Sequence, residues 1–124
     1  MVSALFDTNI LVDFLNGIEA AREEIALYND KAISLITWME VMAGAGEDAA
    51  RIKAFLSGFR LVAIDSDVAT EAVRIRQSRK IKLPDAIILA SARTTHRLLI
   101  TRNTKDFPSG IEGEVRTPYL LGKP

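Results

Sequence analysis

Four carboxylates stand where apolar runs of this chain give way to turns or helices. Asp7 follows Val2-Ser3-Ala4-Leu5-Phe6, Glu40 follows the run from Ile33 to Met39, Asp85 lies in Leu83-Pro84-Asp85-Ala86, and Asp106 closes Thr101-Arg102-Asn103-Thr104-Lys105-Asp106. Acids carried to the ends of parallel strands meet on one rim of a sheet, where α/β proteins bind their ligands. Oxygen-only donors of this kind suit hard cations such as Mg²⁺ or Mn²⁺. Two such ions can clamp the attacking and leaving oxygens of a phosphodiester. Four carboxylates spaced ~5 Å apart repel by roughly 1–3 kcal/mol per close pair at an effective dielectric of 20 to 80, a cost that bound cations cancel.

Other chemistries are excluded by composition. Cysteine is absent, which removes disulfides, thiolate nucleophiles and Cys-ligated zinc. His96 is the single histidine, so paired-imidazole acid–base catalysis is ruled out. His96 itself reads as a surface residue or a cation near a helix C-terminus, and Trp38 and the scattered phenylalanines read as core. Each acid also has an ordinary structural role to set against the chemical one. Asp7 is a possible helix cap, although Thr8 and Asn9 stand closer to the helix expected from Ile10. Asp85 is a favourable first-turn charge, and Asp106 a turn residue before Phe107-Pro108. Glu40, set among Ile36, Trp38, Met39, Val41 and Met42, is expected to be buried and therefore to need a cation.

Net charge is zero but unevenly spread: residues 1–62 hold 9 acids and 5 bases, and residues 63–124 hold 7 acids and 11 bases. Affinity for a polyanion must then be local. The densest basic run extends from Arg74 to Lys82, with five cations and no acid in nine residues, and it ends three residues before Asp85. Arg76, Arg79, Lys80 and Lys82 from this run, together with Arg102 beside Thr101, form the candidate phosphate-steering set.

These residues need a scaffold that alternates strands with helices. Val2 to Phe6, Ala32–Leu35, Arg60–Ile64, Arg97–Ile100 and Glu114–Thr117 are the strand candidates. Helices are expected over Ile10 to Asn16, Glu19–Asn29, Thr37 to Ala43, Asp48–Leu56, Asp67–Arg79 capped by Ser66, and Asp85–His96 with Pro84 at its first position. The last of these is apolar nearly all round at its start and should be buried. Right-handed crossovers place the C-terminal ends of such parallel strands along one edge. The length suits one domain spanning residues 1–124. No apolar stretch approaches the ~20 residues of a spanning helix, and no basic-then-apolar leader precedes Leu5, so a soluble, unprocessed, cytoplasmic chain without membrane contact is expected.

Four segments, in order, resemble the PIN-domain ribonucleases, especially the VapC-type toxins of bacterial toxin–antitoxin pairs. They are Leu5 to Asp13 (LFDTNILVD), Ser34 to Val41 (SLITWMEV), Leu83 to Ala92 (LPDAIILASA) and Leu99 to Phe107 (LITRNTKDF). The resemblance implies a three-layer α/β/α sandwich around a parallel sheet of order 3-2-1-4-5. It implies that Asp7, Glu40, Asp85 and Asp106 are the catalytic, metal-binding acids, with one or two Mg²⁺ or Mn²⁺ ions. Asn9, Thr101 and Asn103 would organise that pocket, and either Asn103 or Asp106 would supply the fourth ligand. It further implies hydrolysis of RNA to leave a 5′-phosphate, and the basic residues Arg76, Arg79, Lys80, Lys82 and Arg102 are then the RNA-binding candidates. The implied partners are RNA, a cognate antitoxin that blocks the pocket, and a second copy in a homodimer or larger toxin–antitoxin assembly.

Two other readings compete. Asp7-Thr8-Asn9 after an apolar strand, with Leu98 to Thr101, also resembles haloacid-dehalogenase-like phosphatases, in which the first Asp is the nucleophile. That family needs a second acid at the position of Asn9 and a later paired-acid motif, and this chain has neither. A non-catalytic RNA- or partner-binding module on the same fold is the other alternative, and binding without cleavage in Mn²⁺ would identify it.

Overall fold

The alternation of the core residues along each strand is the key to the architecture. In the computed structural model, which describes residues 2–107 and 114–121, β1 (Ala4–Phe6) is fully buried. Ala4 and Phe6 face one apolar cluster and Leu5 the opposite one, as the two-residue period of a strand requires. β2 (Lys31–Ser34) repeats the pattern with Ala32 and Ile33, and β4 (Leu98–Ile100) with Leu99 and Ile100. Strands that are apolar on both faces need cover on both.

One face is covered by α1 (Thr8–Leu15), α2 (Glu19–Ala26) and α4 (Ala49–Leu56), which contribute Ile10, Leu11, Ala21, Ile25, Ile52 and Leu56. The other is covered by α5 (Ser66–Ser78) and α6 (Leu83–Thr94), through Val68, Ala72, Ile75, Ala86, Leu89 and Ala90. Between them run β3 (Arg60–Val62) and β5 (Val115–Arg116), while α3 (Leu35–Ala43) follows β2 directly. Every pairing is parallel, and the strand order is β3-β2-β1-β4-β5. This is the three-layer α/β/α sandwich of order 3-2-1-4-5 expected above. Leu5 is the hub, paired in register with Ala32 on one side and Leu99 on the other.

The element ends differ from the sequence expectations for identifiable reasons. Thr8 and Asn9 do not cap α1: Asp7 does, with Oδ1 accepting from the Thr8 amide at 2.7 Å, so the helix starts two residues earlier. Asp65, not Ser66, caps α5, its carboxylate accepting from the Val68 amide at 2.9 Å, because a full negative charge at a helix N-terminus also meets the dipole. Ser34 caps α3, so Leu35 belongs to the helix and not to β2. The residues expected to extend α2 to Asn29 leave the helix after Ala26, bringing Lys31 to the start of β2. A short 3₁₀ turn, Gly46–Asp48, precedes α4. Pro84 sits one residue inside α6, which starts at Leu83; the missing N–H still costs nothing there, because the first four helical amides have no partner within the helix. His96 ends α6 in the left-handed region at φ 56°. Its amide donates to the Arg93 carbonyl and that of Arg97 to the Ala92 carbonyl, the paired bonds of a Schellman cap. No helix among the described residues is long and apolar enough to cross a membrane.

Candidate active site

The parallel register carries Asp7, Ser34 and Thr101 to one edge of the sheet. Asp7 leaves β1 with its amide bonded to the Ile100 carbonyl at 2.9 Å, which ties the end of β1 to the end of β4. The Asp7 side chain is only 4% exposed. Its Oδ2 accepts from Thr101 Oγ1 at 2.7 Å and from Asn9 Nδ2 at 3.2 Å. Burial pushes its carboxyl above the ordinary 3.8, with the Thr101 and Thr8 hydrogen bonds opposing that shift and the Glu40 charge adding to it. Three donors therefore fix the orientation of a buried acid whose charge is unfavourable without a cation.

Thr101 and Asn9 are held in turn. Thr101 Oγ1 accepts from the Asn103 amide at 2.9 Å, and Asn9 Oδ1 accepts from the Arg102 amide at 3.3 Å. The loop after β4 is closed by a reciprocal pair: Asn103 Nδ2 donates to Asp106 Oδ2 at 2.9 Å, and the Asp106 amide donates to Asn103 Oδ1 at 3.1 Å. Phe107, 2% exposed, anchors the end of that loop in the core.

Asp85 enters from the first turn of α6. Its carboxyl is pushed up to about 6, first by burial and then by the charges of Asp7, Asp106 and Glu40, with Asp106 close enough to share a hydrogen bond. Glu40 corrects an expectation. It lies on the solvent side of α3 and is exposed, as is Met39, and no buried cation accompanies it. What positions it is Thr8, whose hydroxyl donates to Glu40 Oε1 at 2.6 Å and lies 3.0 Å from Thr37 Oγ1. Asp7, Thr8, Asn9, Glu40, Asp85, Arg102 and Asn103 line one cleft of about 490 Å³, and Asp106 lines the adjoining one. A larger cleft, of about 600 Å³, at Arg93, His96 and Glu114 has its arginines already paired with carboxylates, Arg93 with both Glu71 and Glu114 and Arg97 with Asp30.

Among the described residues, none of the four acids forms an ion pair with Lys or Arg, whereas Asp13, Glu24, Asp30, Asp48, Glu71 and Glu114 all do. Nor do any three described His, Cys, Asp or Glu side chains close around one point as a ready-made cage. The donors suit a hard cation that keeps part of its water: Mg²⁺ is commonly held by one or two carboxylates plus substrate phosphate, and an open ring of acids is adequate for that.

Arg102, grouped above with the RNA-binding residues, lines the same cleft as Asp7, and its charge bears on Asp7 while its guanidinium is held by a carboxylate. Its guanidinium forks onto Asp13 at 2.6 and 3.0 Å, and Tyr119 donates to the same carboxylate at 2.9 Å. Asp13 lies four residues beyond Asn9, one turn along the same helix face, a spacing visible in the sequence. Thr8, expected as a cap, instead holds Glu40. Arg76, Arg79, Lys80 and Lys82 stand on the end of α5 and the linker to α6, with Arg76, Lys80 and Lys82 exposed.

The family model described as the PIN domain matches residues 4–109. The chain belongs to the PIN-domain family. It is 30% identical over 120 residues to the tRNA(fMet)-specific endonuclease VapC of Shigella flexneri, a match that takes in 86% of this chain and 91% of that relative. A solved structure described as a toxin–antitoxin complex from Klebsiella pneumoniae shares the fold with a TM-score of 0.90 and 48% identity, over 96% of this chain and 100% of that one. FitAcB from Neisseria gonorrhoeae shares the fold at a TM-score of 0.79 and 24% identity, over 95% and 99% of the two chains. This PIN domain is thus of the VapC type, and Asp7 just after β1, Glu40 on α3, Asp85 in the first turn of α6 and Asp106 on the loop after β4 fall in the four segments on which the family resemblance rests.

Proposed function

We propose that residues 1–124 act as one PIN domain, a divalent-metal-dependent ribonuclease toxin held in check by a cognate antitoxin. The observation that carries this reading is the ring of four acids drawn from β1, α3, α6 and the loop after β4, none neutralised by a cation of the described chain. Asp7, Glu40, Asp85 and Asp106 are the residues that would hold Mg²⁺ or Mn²⁺. When bound, the ion supplies Lewis acidity and cancels carboxylate charge, so that an anionic phosphodiester can approach. Thr101 and Asn9 keep both oxygens of Asp7 in one orientation, Thr8 holds Glu40 toward the cleft, and Asn103 locks the loop that carries Asp106. Asp106 bears on Asp85 from the loop after β4, and its charge adds to burial and to the charges of Asp7 and Glu40 in holding the Asp85 carboxyl up.

The Klebsiella neighbour is described as a toxin–antitoxin complex, which supports an antitoxin partner here, and a homodimer is the proposed resting assembly of the toxin. The Shigella relative is named for tRNA(fMet), which makes initiator tRNA the first substrate to try. The site of action is then the cytoplasm. The test is cleavage of total RNA by purified protein in Mn²⁺, in Mg²⁺ and in EDTA, beside Asp7→Asn and Asp85→Asn. Cleavage in EDTA, or undiminished cleavage by the double variant, overturns the proposal. Mapping the cut sites identifies the RNA, and copurification with the product of the adjacent reading frame tests the antitoxin.

A further inference from the structure

Among the described residues every arginine except Arg76 and Arg79 forms an ion pair with a carboxylate. Among the described residues Arg79, Lys80 and Lys105 have no such partner, yet they line one cleft of about 280 Å³ together with Ile81 and Asp106. The segments that hold them are fixed. Arg79 caps α5 in extended backbone, and Ile81, 7% exposed, is anchored in the core. Alternation about that anchor turns Lys80 and Lys82 to solvent. On the other wall Lys105 sits on the loop clamped by the Asn103–Asp106 bonds and by buried Phe107. Like charges held together on two fixed walls repel one another, and a visiting anion relieves that repulsion. Asp106 belongs to this cleft and also bears on Asp85, so the basic cleft adjoins the acid ring.

We infer that Arg79, Lys80 and Lys105 form a subsite for an RNA phosphate neighbouring the one that is cleaved, so that the strand leaves the acid ring past the α5–α6 linker. This rests on the ribonuclease reading for the identity of the strand but not for the existence of the cation cluster. Lys105 is the new member, brought to the linker only by the fold.

Binding of a fluorescein-labelled oligouridine to the Asp7→Asn protein, followed by anisotropy over a range of salt, tests it. Lys105→Gln and the pair Arg79→Gln, Lys80→Gln are compared with Lys53→Gln on α4 as control. Each cation removed from the subsite should weaken binding and lower the slope of log K against log salt by roughly 0.7, whereas the control changes neither. In Mn²⁺ cleavage by the otherwise unmodified protein, a methylphosphonate beside the cleaved phosphate should slow the parent and leave Lys105→Gln no slower than it already is. Equal behaviour of Lys105→Gln and Lys53→Gln, or independent effects of the methylphosphonate and Lys105→Gln, overturns the subsite. If the unmodified protein cleaves no RNA while the binding losses and altered slopes persist, the ribonuclease reading fails and the subsite stands.

Discussion

Asp85→Asn should remove activity and make the metal-free protein more stable. The Asp85 carboxyl is held at about 6 by burial and by Asp7, Asp106 and Glu40, against 3.8 when unperturbed. Between those values the folded state binds more protons than the unfolded one, so stability falls as pH rises from about 4 through 6 and is then level. A difference of about two pH units corresponds to ~3 kcal/mol at full strength. Asp85 is partly open to solvent, and screening reduces that to ~1–2 kcal/mol. Asparagine has nearly the same shape, cannot ionise, and still offers an N–H to Asp106. At neutral pH in EDTA the variant should therefore be more stable by ~1–2 kcal/mol, a rise of roughly 3–8 °C in Tm for a domain of this size. Near pH 4 the gain should vanish, because the wild-type carboxyl is then protonated in the folded state. Millimolar Mn²⁺ should raise the wild-type Tm more than that of the variant. Urea and thermal unfolding at the two pH values, with and without Mn²⁺, measure all of these. A variant no more stable than wild type at neutral pH, or equally stabilised at both pH values, would show that the acids around Asp85 do not repel as the structure places them.

Three further outcomes are expected. His96→Gly should stabilise the protein by ~0.5–1 kcal/mol in urea unfolding, because glycine takes the φ of 56° without steric cost; a loss of stability would mean that the His96 ring makes a contact of its own. Glu24→Ala should cost ~3 kcal/mol, since Glu24 is 5% exposed and accepts from Tyr28 and from both Arg116 nitrogens at 2.7 and 3.1 Å. Glu24→Leu with Arg116→Met should recover most of that, and a cost of Glu24→Ala below ~1 kcal/mol would contradict the burial. Tyr119→Phe should cost ~1 kcal/mol and speed amide exchange at Arg102 and Asn103, because the lost bond to Asp13 loosens the anchor of Arg102; unchanged exchange would separate the C-terminal segment from the loop.

Much of the fold was legible because it depends on short-range pattern. Strands apolar on both faces, each followed by an amphipathic helix, allow little besides a covered parallel sheet, and the expected and observed elements agree to within a few residues. The misreadings were competitions between adjacent polar groups. Asp7 and Thr8, or Asp65 and Ser66, are equally good caps on paper, and the choice depends on where β1 ends and how its carbonyls and amides are already bonded. Glu40 was expected to be buried because its sequence neighbours are apolar. On α3 those neighbours split between faces, and Val41 is buried while Met39 and Glu40 turn outward.

By itself the sequence determined the donor chemistry: carboxylates without cysteine and with one histidine, set in four recognisable segments. It also determined the sheet order through the resemblance that those segments carry. Only the tertiary structure decided which charges are spent and which remain available. Asp13 consumes Arg102, and Glu24 consumes Arg116, each across about ninety residues of chain, and no local pattern encodes such pairings. The same long-range packing sets Asp7, Glu40 and Asp85 around one cleft with Asp106 bearing on Asp85, none of the four in an ion pair among the described residues, and sets Lys105 against Arg79 and Lys80 beside it. The physical reason is that charge neutralisation depends on distance in space, which the sheet register and the crossovers set and sequence separation does not.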